Sequence, residues 1–253
     1  SYTSFYDSMI SEYFLEISDR KPDFYGISGK KKMDLRYGEN PHQAAGLYIH
    51  DADSPLNSYD QLNGKELSFN NILDLSMVYE LLNAFQDSTE CFAVIVKHQN
   101  PCGASLRPTA KESFSDAFAG DPRSAFGGIV GFNRSVDLES AEEMSKIFFE
   151  VIIAPDFHED ALTLLKEKKN LRIIKMSLGY EEKRDIKIVP GGFVSQERDN
   201  AMLNSSDFEL KTSAVPSTEQ MADVDFGWKI IKFVKSNGII IVKDKQLIGV
   251  GAG

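Results

Sequence analysis

Apolar residues recur at helical spacing near the start of the chain, where Met9, Ile10, Tyr13 and Phe14 fall within residues 6–17. The period returns after Asn70-Asn71, with Ile72, Leu73, Val78, Leu81, Leu82 and Phe85. Both stretches predict amphipathic helices, because positions three and four apart share one helix face. Two more helix starts are predicted at Ser140-Ala141-Glu142-Glu143 and Ser217-Thr218-Glu219-Gln220. In each, a hydroxyl and the residue three positions on can satisfy orphan backbone N–H groups. Residues 162–169 end in a lysine cluster that suits a helix C-terminus, with Asn170 just beyond the cap. Between these segments, the runs 91–96, 129–132, 171–174, 239–242 and 247–250 have strand length. Several are apolar on both faces, which predicts central strands in a sheet covered on both sides. Helices and strands alternate, so the expected fold class is layered α/β.

The pattern weakens between residues 180 and 217, where Pro190-Gly191-Gly192 predicts a turn and residues 200–217 are polar with one proline. A division is expected there, with residues 1–205 as a first unit and 206–253 as a linker and the start of a second. Helix, apolar strand and glycine-containing turn follow one another in residues 72–103 and again in 221–253, a loose internal echo. With 253 residues, 42% hydrophobic and 26% charged, the chain can bury a sizeable core and is neither disordered nor a coiled coil. Its longest apolar runs fall far short of the roughly 20 residues of a membrane span, so no association with a bilayer is expected. The 38 acidic and 28 basic residues leave a formal charge of -10. That balance argues against non-specific nucleic-acid binding, and an anionic substrate would need a locally basic pocket. Two cysteines, Cys91 and Cys102, are too few for a disulfide scaffold or an all-thiolate zinc site and point to a reducing cytoplasm. The opening Ser1-Tyr2-Thr3-Ser4 lacks an initiator methionine and the basic and apolar regions of a secretory leader. The expectation is a trimmed piece of a longer protein.

Four segments carry candidate chemistry. Leu35-Arg36-Tyr37-Gly38-Glu39-Asn40-Pro41-His42-Gln43 concentrates a guanidinium, a phenol, two amides and an imidazole in a loop that follows Lys30, Lys31 and Lys32. This is the most basic stretch of an acidic chain, and arginine can hold phosphate bidentately. A solvated lysine face beside a structural turn is the plainer reading. In Val94-Ile95-Val96-Lys97-His98-Gln99-Asn100-Pro101-Cys102-Gly103 an apolar strand runs into Lys-His, at the kind of strand end where α/β sheets form ligand crevices. His98 can take a proton near neutral pH and Lys97 can stabilise developing negative charge, with a structural histidine as the alternative. Cys102 is a possible nucleophile or a small buried residue. Zinc deaminase chemistry needs His-x-Glu and Pro-Cys-x-x-Cys, but only Pro101-Cys102 is present. Asp121-Pro122-Arg123-Ser124-Ala125-Phe126-Gly127-Gly128 enters a strand through paired glycines that permit close backbone approach or a plain tight turn. Lys235-Ser236-Asn237-Gly238 puts Asn237 at a strand start, where a cap or turn role is usual.

These loops, in this order, resemble the formyltransferase domain of the bifunctional AICAR transformylase/IMP cyclohydrolase family. Leu62-Asn63-Gly64-Lys65-Glu66-Leu67-Ser68-Phe69-Asn70-Asn71 and Glu150-Val151-Ile152-Ile153-Ala154-Pro155 add to the match, which spans most of the chain. The resemblance implies transfer of a formyl group from 10-formyltetrahydrofolate to the 5-amino group of the imidazole nucleotide AICAR, with no metal required. The family's catalytic lysine-histidine pair falls on Lys97 and His98. Its nucleotide-binding positions fall on Arg36, Tyr37, Gly127, Glu150 and Asn237, and Asn40, in the same loop as Arg36, is expected to bind the substrate with them. On this likeness His98 is the candidate base, Lys97 and Asn237 face the oxyanion, Arg36 meets the phosphate and Gln99 has no role. The resemblance further implies a cytidine-deaminase-like α/β/α unit with the start of a second such unit, and a homodimer with active sites at the interface. The family's cyclohydrolase domain has no counterpart here. Beyond residues 249–253 the family continues with most of the second unit and much of the folate pocket. The 253 residues alone are therefore expected to be inactive, with residues 239–250 uncovered. A nucleotide-binding module without catalysis and a hydrolytic deaminase relative are the competing readings.

Overall fold

The computed structural model describes residues 2–18, 23–201 and 203–252, so Gly253, the last residue of the second echoed block, lies outside it. The chain begins with α1 (Tyr2–Glu16), β1 (Lys30–Leu35), β2 (Ala45–Ile49), α2 (Pro55–Ser58), β3 (Asp60–Asn63) and α3 (Phe69–Asn83). It continues through β4 (Cys91–Lys97), β5 (Asn100–Arg107), α4 (Ala110–Gly120), α5 (Pro122–Ala125), β6 (Ile129–Phe132), α6 (Leu138–Ser145) and β7 (Val151–Ala154). Then follow α7 (Glu159–Lys166), β8 (Arg172–Lys175), β9 (Arg184–Val189), β10 (Gly192–Glu197), α8 (Thr218–Ile231), β11 (Ile239–Lys243) and β12 (Gln246–Gly251).

Eight strands form one mixed sheet in the order β11-β12-β5-β4-β6-β7-β8-β3. β6, β7 and β8 run parallel, while β4 is antiparallel to both β5 and β6. β6 and β7 are buried throughout and β4 over all but Lys97, as expected for strands apolar on both faces. One face packs Phe92, Val94, Val96 and Ile153 against Leu75, Val78 and Leu82 of α3 and Phe226 and Ile230 of α8. The opposite face packs Ala93, Ile95, Val130 and Ile152 against Phe114 of α4, Met144 of α6 and Leu165 of α7. Because strand side chains alternate sides, the two helix layers each receive one half of every central strand, giving the layered α/β architecture.

The boundaries show where local pattern and structure part. Ser217 caps α8 in the predicted reciprocal box with Gln220. Ser140 does not cap α6, because Asp137 accepts its N–H at 2.8 Å and starts the helix earlier. α7 ends at a cap on Glu167 rather than near Asn170. Pro101 and Gly103 disguise β5: Pro101 sits opposite Val96 where the register shifts, and a bulge tolerates its missing N–H. The turn at Pro190-Gly191 joins β9 and β10, a separate two-stranded sheet. The predicted apolar face of α1 is exposed, with Tyr13, Phe14 and Ile17 outward. β11 and β12 are covered on one face by α8, through Ile240 and Val242, whereas Ile239, Ile241 and Ile248 are exposed.

The internal echo is visible in three dimensions. α3-β4-β5 and α8-β11-β12 both start from a serine N-cap, and their hairpins lie side by side through β12 and β5.

Candidate functional site

Strand registers bring several of the singled-out loops to one edge of the sheet. Val96 near the end of β4 lies opposite Ile129 at the start of β6, so Lys97 adjoins Gly127-Gly128. The Lys97 ammonium donates to the Phe126 carbonyl at 2.7 Å. Gly127 has φ 74°, a left-handed conformation open to glycine, and donates to Phe148 O at 2.9 Å. The next link runs from Glu150 N–H to Gly128 O at 3.1 Å, and then from Arg172 N–H to Glu150 O at 3.1 Å. Lys97 at the end of β4, Gly127 and Glu150 just before β6 and β7, and Arg172 at the start of β8 thus lie along one rim. For β6, β7 and β8 this is the amino end of the strand, not the carboxyl end at which α/β crevices usually open.

Glu150 is held from two sides. The Asn71 amide of α3 donates to its carboxylate at 2.8 Å, and the Arg172 guanidinium stands 3.8 Å away. Arg172 is nearly buried and also donates to Glu66 O at 3.0 Å. Burial pushes the Arg172 pKa down; Glu150 and Tyr37 oppose that shift and Arg36 reinforces it. Arg36 and Tyr37 thus lie close enough to Arg172 to act on its charge. Arg36 is exposed and its guanidinium lies 5.5 Å from the Tyr37 ring centre. Asn40 is used within its own loop, where Gln43 Oε1 accepts from its backbone N–H at 2.7 Å and from its side-chain amide at 3.2 Å.

His98 is exposed at the tip of the β4-β5 hairpin. Asn237 is also exposed and lies beyond the Ser236–Asn237 cis peptide, at the same end of the sheet but just before β11. Three strand spacings separate β11 from β4, roughly 14 Å at about 4.8 Å each, so the sheet alone does not bring Asn237 against Lys97. Cys102 donates to Ile95 O at 3.4 Å, and burial pushes its thiol up to about 12. The half-buried thiol, engaged with Ile95 O and held protonated, fits a packing group better than a nucleophile. Among the described residues no three His, Cys, Asp or Glu side chains converge as metal ligands, and no helix is long and apolar enough to cross a membrane.

A cavity of about 590 Å³ opens among β2, α3, β10 and the segment after α8, where Lys235 of the Asn237 segment lines it. Polar groups in its wall are paired with each other: His50 with Glu182 at 3.1 Å, Asn83 with Tyr180 O at 2.6 Å, and Arg198 with Glu80. The rim is the better chemical candidate, because it combines cationic, carboxylate and imidazole groups with open backbone at Gly127. Asn71 and Arg172 carry no signal in the sequence, since each is an ordinary helix or strand position whose partner, Glu150, lies elsewhere in the chain.

A sequence profile of the family described as AICARFT/IMPCHase bienzyme matches residues 1–253. A "Bifunctional purine biosynthesis protein PurH" from Thermoanaerobacter sp. (strain X514) is 43% identical over 258 residues, covering 100% of this chain and 49% of that protein. A protein of the same description from Clostridium botulinum (strain Hall / ATCC 3502 / NCTC 13319 / Type A) is 45% identical over 251 residues, covering 99% of the chain and 49% of its own length. The chain therefore spans about half the length of these curated relatives.

Proposed function

The chain belongs to the AICARFT/IMPCHase bienzyme family, and from that premise we propose that it carries the nucleotide side of an AICAR formyltransferase site in purine biosynthesis. The reaction joins the 5-amino nitrogen of AICAR to the formyl carbon of 10-formyltetrahydrofolate, breaks the carbon bond to the folate nitrogen, and moves one proton from the amine. His98 takes that proton, and the departing folate nitrogen gains one as its carbon bond breaks, so that tetrahydrofolate leaves neutral. The Lys97 ammonium and the Asn237 amide stabilise the tetrahedral oxyanion, so that negative charge develops against fixed donors. Arg36 and Tyr37 hold the nucleotide phosphate, Gly127 gives the ligand close access to backbone, and Glu150 binds the nucleotide opposite them. Asn40 shapes the Arg36 loop through Gln43. The formylfolate occupies a pocket completed elsewhere in a homodimer, in the cytoplasm, and residues 206–253 open a second unit of the domain.

The observation that supports this reading most is the rim from Lys97 through Gly127 and Glu150 to Arg172, with Arg36 and Tyr37 near enough to Arg172 to act on its charge, within a chain of this family. The test is tetrahydrofolate release by the complete protein. Release that requires both AICAR and formylfolate is expected; a complete, folded protein that binds AICAR without releasing tetrahydrofolate would reduce the rim to a nucleotide-binding module.

A further inference from the structure

The hairpin that carries His98 is built with two residues in a backbone region they rarely adopt. Lys97 pairs opposite Asn100, so His98 and Gln99 alone span the turn. Their φ values are 53° and 59°, the left-handed pair that a type I′ turn requires and that Asn or Gly normally supplies. Compensation comes from α3. The Asp74 carboxylate accepts both turn amides, from His98 at 3.2 Å and from Gln99 at 2.7 Å. The Asn100 side chain donates to the His98 carbonyl at 3.1 Å from the other side. Asp74 follows Asn71 by three residues, hence shares its helix face, and Asn71 donates to Glu150. One face of α3 therefore holds both Glu150 and the His98 turn.

Building on the formyltransferase reading, we infer that Asp74 is a positioning residue, whose carboxylate fixes the His98-Gln99 backbone and so the direction in which the imidazole is presented beside Lys97. The echoed hairpin provides an internal comparison. Asp244 and Lys245 join β11 to β12 with φ of 52° each, and both amides donate to Asp223 of α8, at 3.0 and 2.6 Å. Each aspartate stands six residues after its helix's serine N-cap, Ser68 or Ser217. The second turn lies at the opposite end of the sheet, where the Lys245 carbonyl accepts from Leu106 N–H at 3.1 Å. The clamp is a device of the fold; at the rim it acts on the residue that bears an imidazole.

The test compares Asp74→Ala, Asp223→Ala and the double variant Asp74→Ala with Gln99→Gly in the complete protein. Asp74→Ala is expected to lower kcat about 10- to 100-fold with KM for AICAR within about twofold, the signature of a misdirected group. Asp223→Ala loses the same pair of bonds and should leave kcat within about twofold. Gln99→Gly should return most of the lost rate, because glycine adopts positive φ freely. Wild-type kcat in Asp74→Ala, or an equal fall in Asp223→Ala, overturns the inference. If Asp74→Ala does not fold, Asp74→Asn, which keeps one acceptor oxygen, is expected to lose rate to a smaller degree, and an unchanged kcat there also overturns it. The His98 imidazole resonance in NMR spectra of the same proteins should move in the Asp74 variants and stay in Asp223→Ala. A resonance unmoved by loss of Asp74 sinks the inference even where the wild type transfers no formyl group, whereas absent transfer with a moved resonance sinks the function alone.

Discussion

At the scale of single residues, the proposed site draws on side chains, among them Arg36 and His98, that stand exposed. Arg36 stands exposed over Tyr37 in an otherwise acidic chain, so its loss removes a charged contact without disturbing the core. Arg36→Ala is expected to weaken AICAR binding by about 1.5 to 3 kcal/mol, the range for a charged hydrogen bond, as measured by titration calorimetry. Unchanged binding would contradict the phosphate assignment. Cys102 offers a second check: with its thiol pushed up to about 12 by burial, it should resist iodoacetamide at pH 8, and rapid labelling would show it to be accessible and ionised. Lys97 and His98 stand out in the sequence by type at a strand end, as does the Pro-Cys pair without zinc partners, whereas Glu150 enters only through the family resemblance. Asp74 and Arg172 do not stand out, because their meaning lies in bonds to His98, Gln99 and Glu150, and nothing in the local pattern around either residue indicates such a partner.

At the scale of elements, periodicity located the strands that are apolar on both faces and missed those with mixed or broken patterns. β4 and β6 came through because every apolar position is buried. β5 was hidden by Pro101 and Gly103, yet at Gly103 its backbone packs directly on α4. A Cβ built on Gly103 would fall 1.9 Å from the Ala117 carbonyl of α4. Gly103→Ala must therefore push α4 off β5, at a cost of about 3 kcal/mol or more, the upper part of the overpacking range. Thermal unfolding should show a fall in Tm of roughly 6 to 12 °C for a chain of this size. A wild-type Tm would mean that α4 shifts without cost. The Ser140 cap failed for an equally local reason: a carboxylate three residues earlier, on Asp137, competes for the same N–H.

At the scale of the whole molecule, the layered α/β class followed from alternating helices and strands, and the order of the sheet did not. Nothing in the pattern says that β12 joins β5 or that β3 closes the far edge, since those neighbours are set by packing between distant segments. One long-range pair gives a pH dependence with a definite sign. The hydrogen bond to Glu182 raises the His50 pKa above its ordinary 6.5, against the effect of burial. Burial acts upward on Glu182, but the His50 contacts leave it below its ordinary 4.5. The His50 contribution is full below about pH 6.5 and is lost as pH rises through the raised value; the Glu182 contribution is full above about pH 4.5 and is lost on acidification through the lowered one. His50→Gln should therefore lower stability near pH 6 by about 0.2 to 1 kcal/mol, because the pair is partly exposed, with the difference shrinking as pH rises through the raised His50 value. A difference that grows with pH would contradict the pairing. The most direct test of the account as a whole is the single-turnover rate of formyl transfer in the complete protein carrying His98→Ala, measured together with its AICAR affinity. A rate lowered by roughly 10² to 10⁴ with affinity changed by less than about threefold is predicted for a base at the rim, and a rate equal to wild type would contradict it.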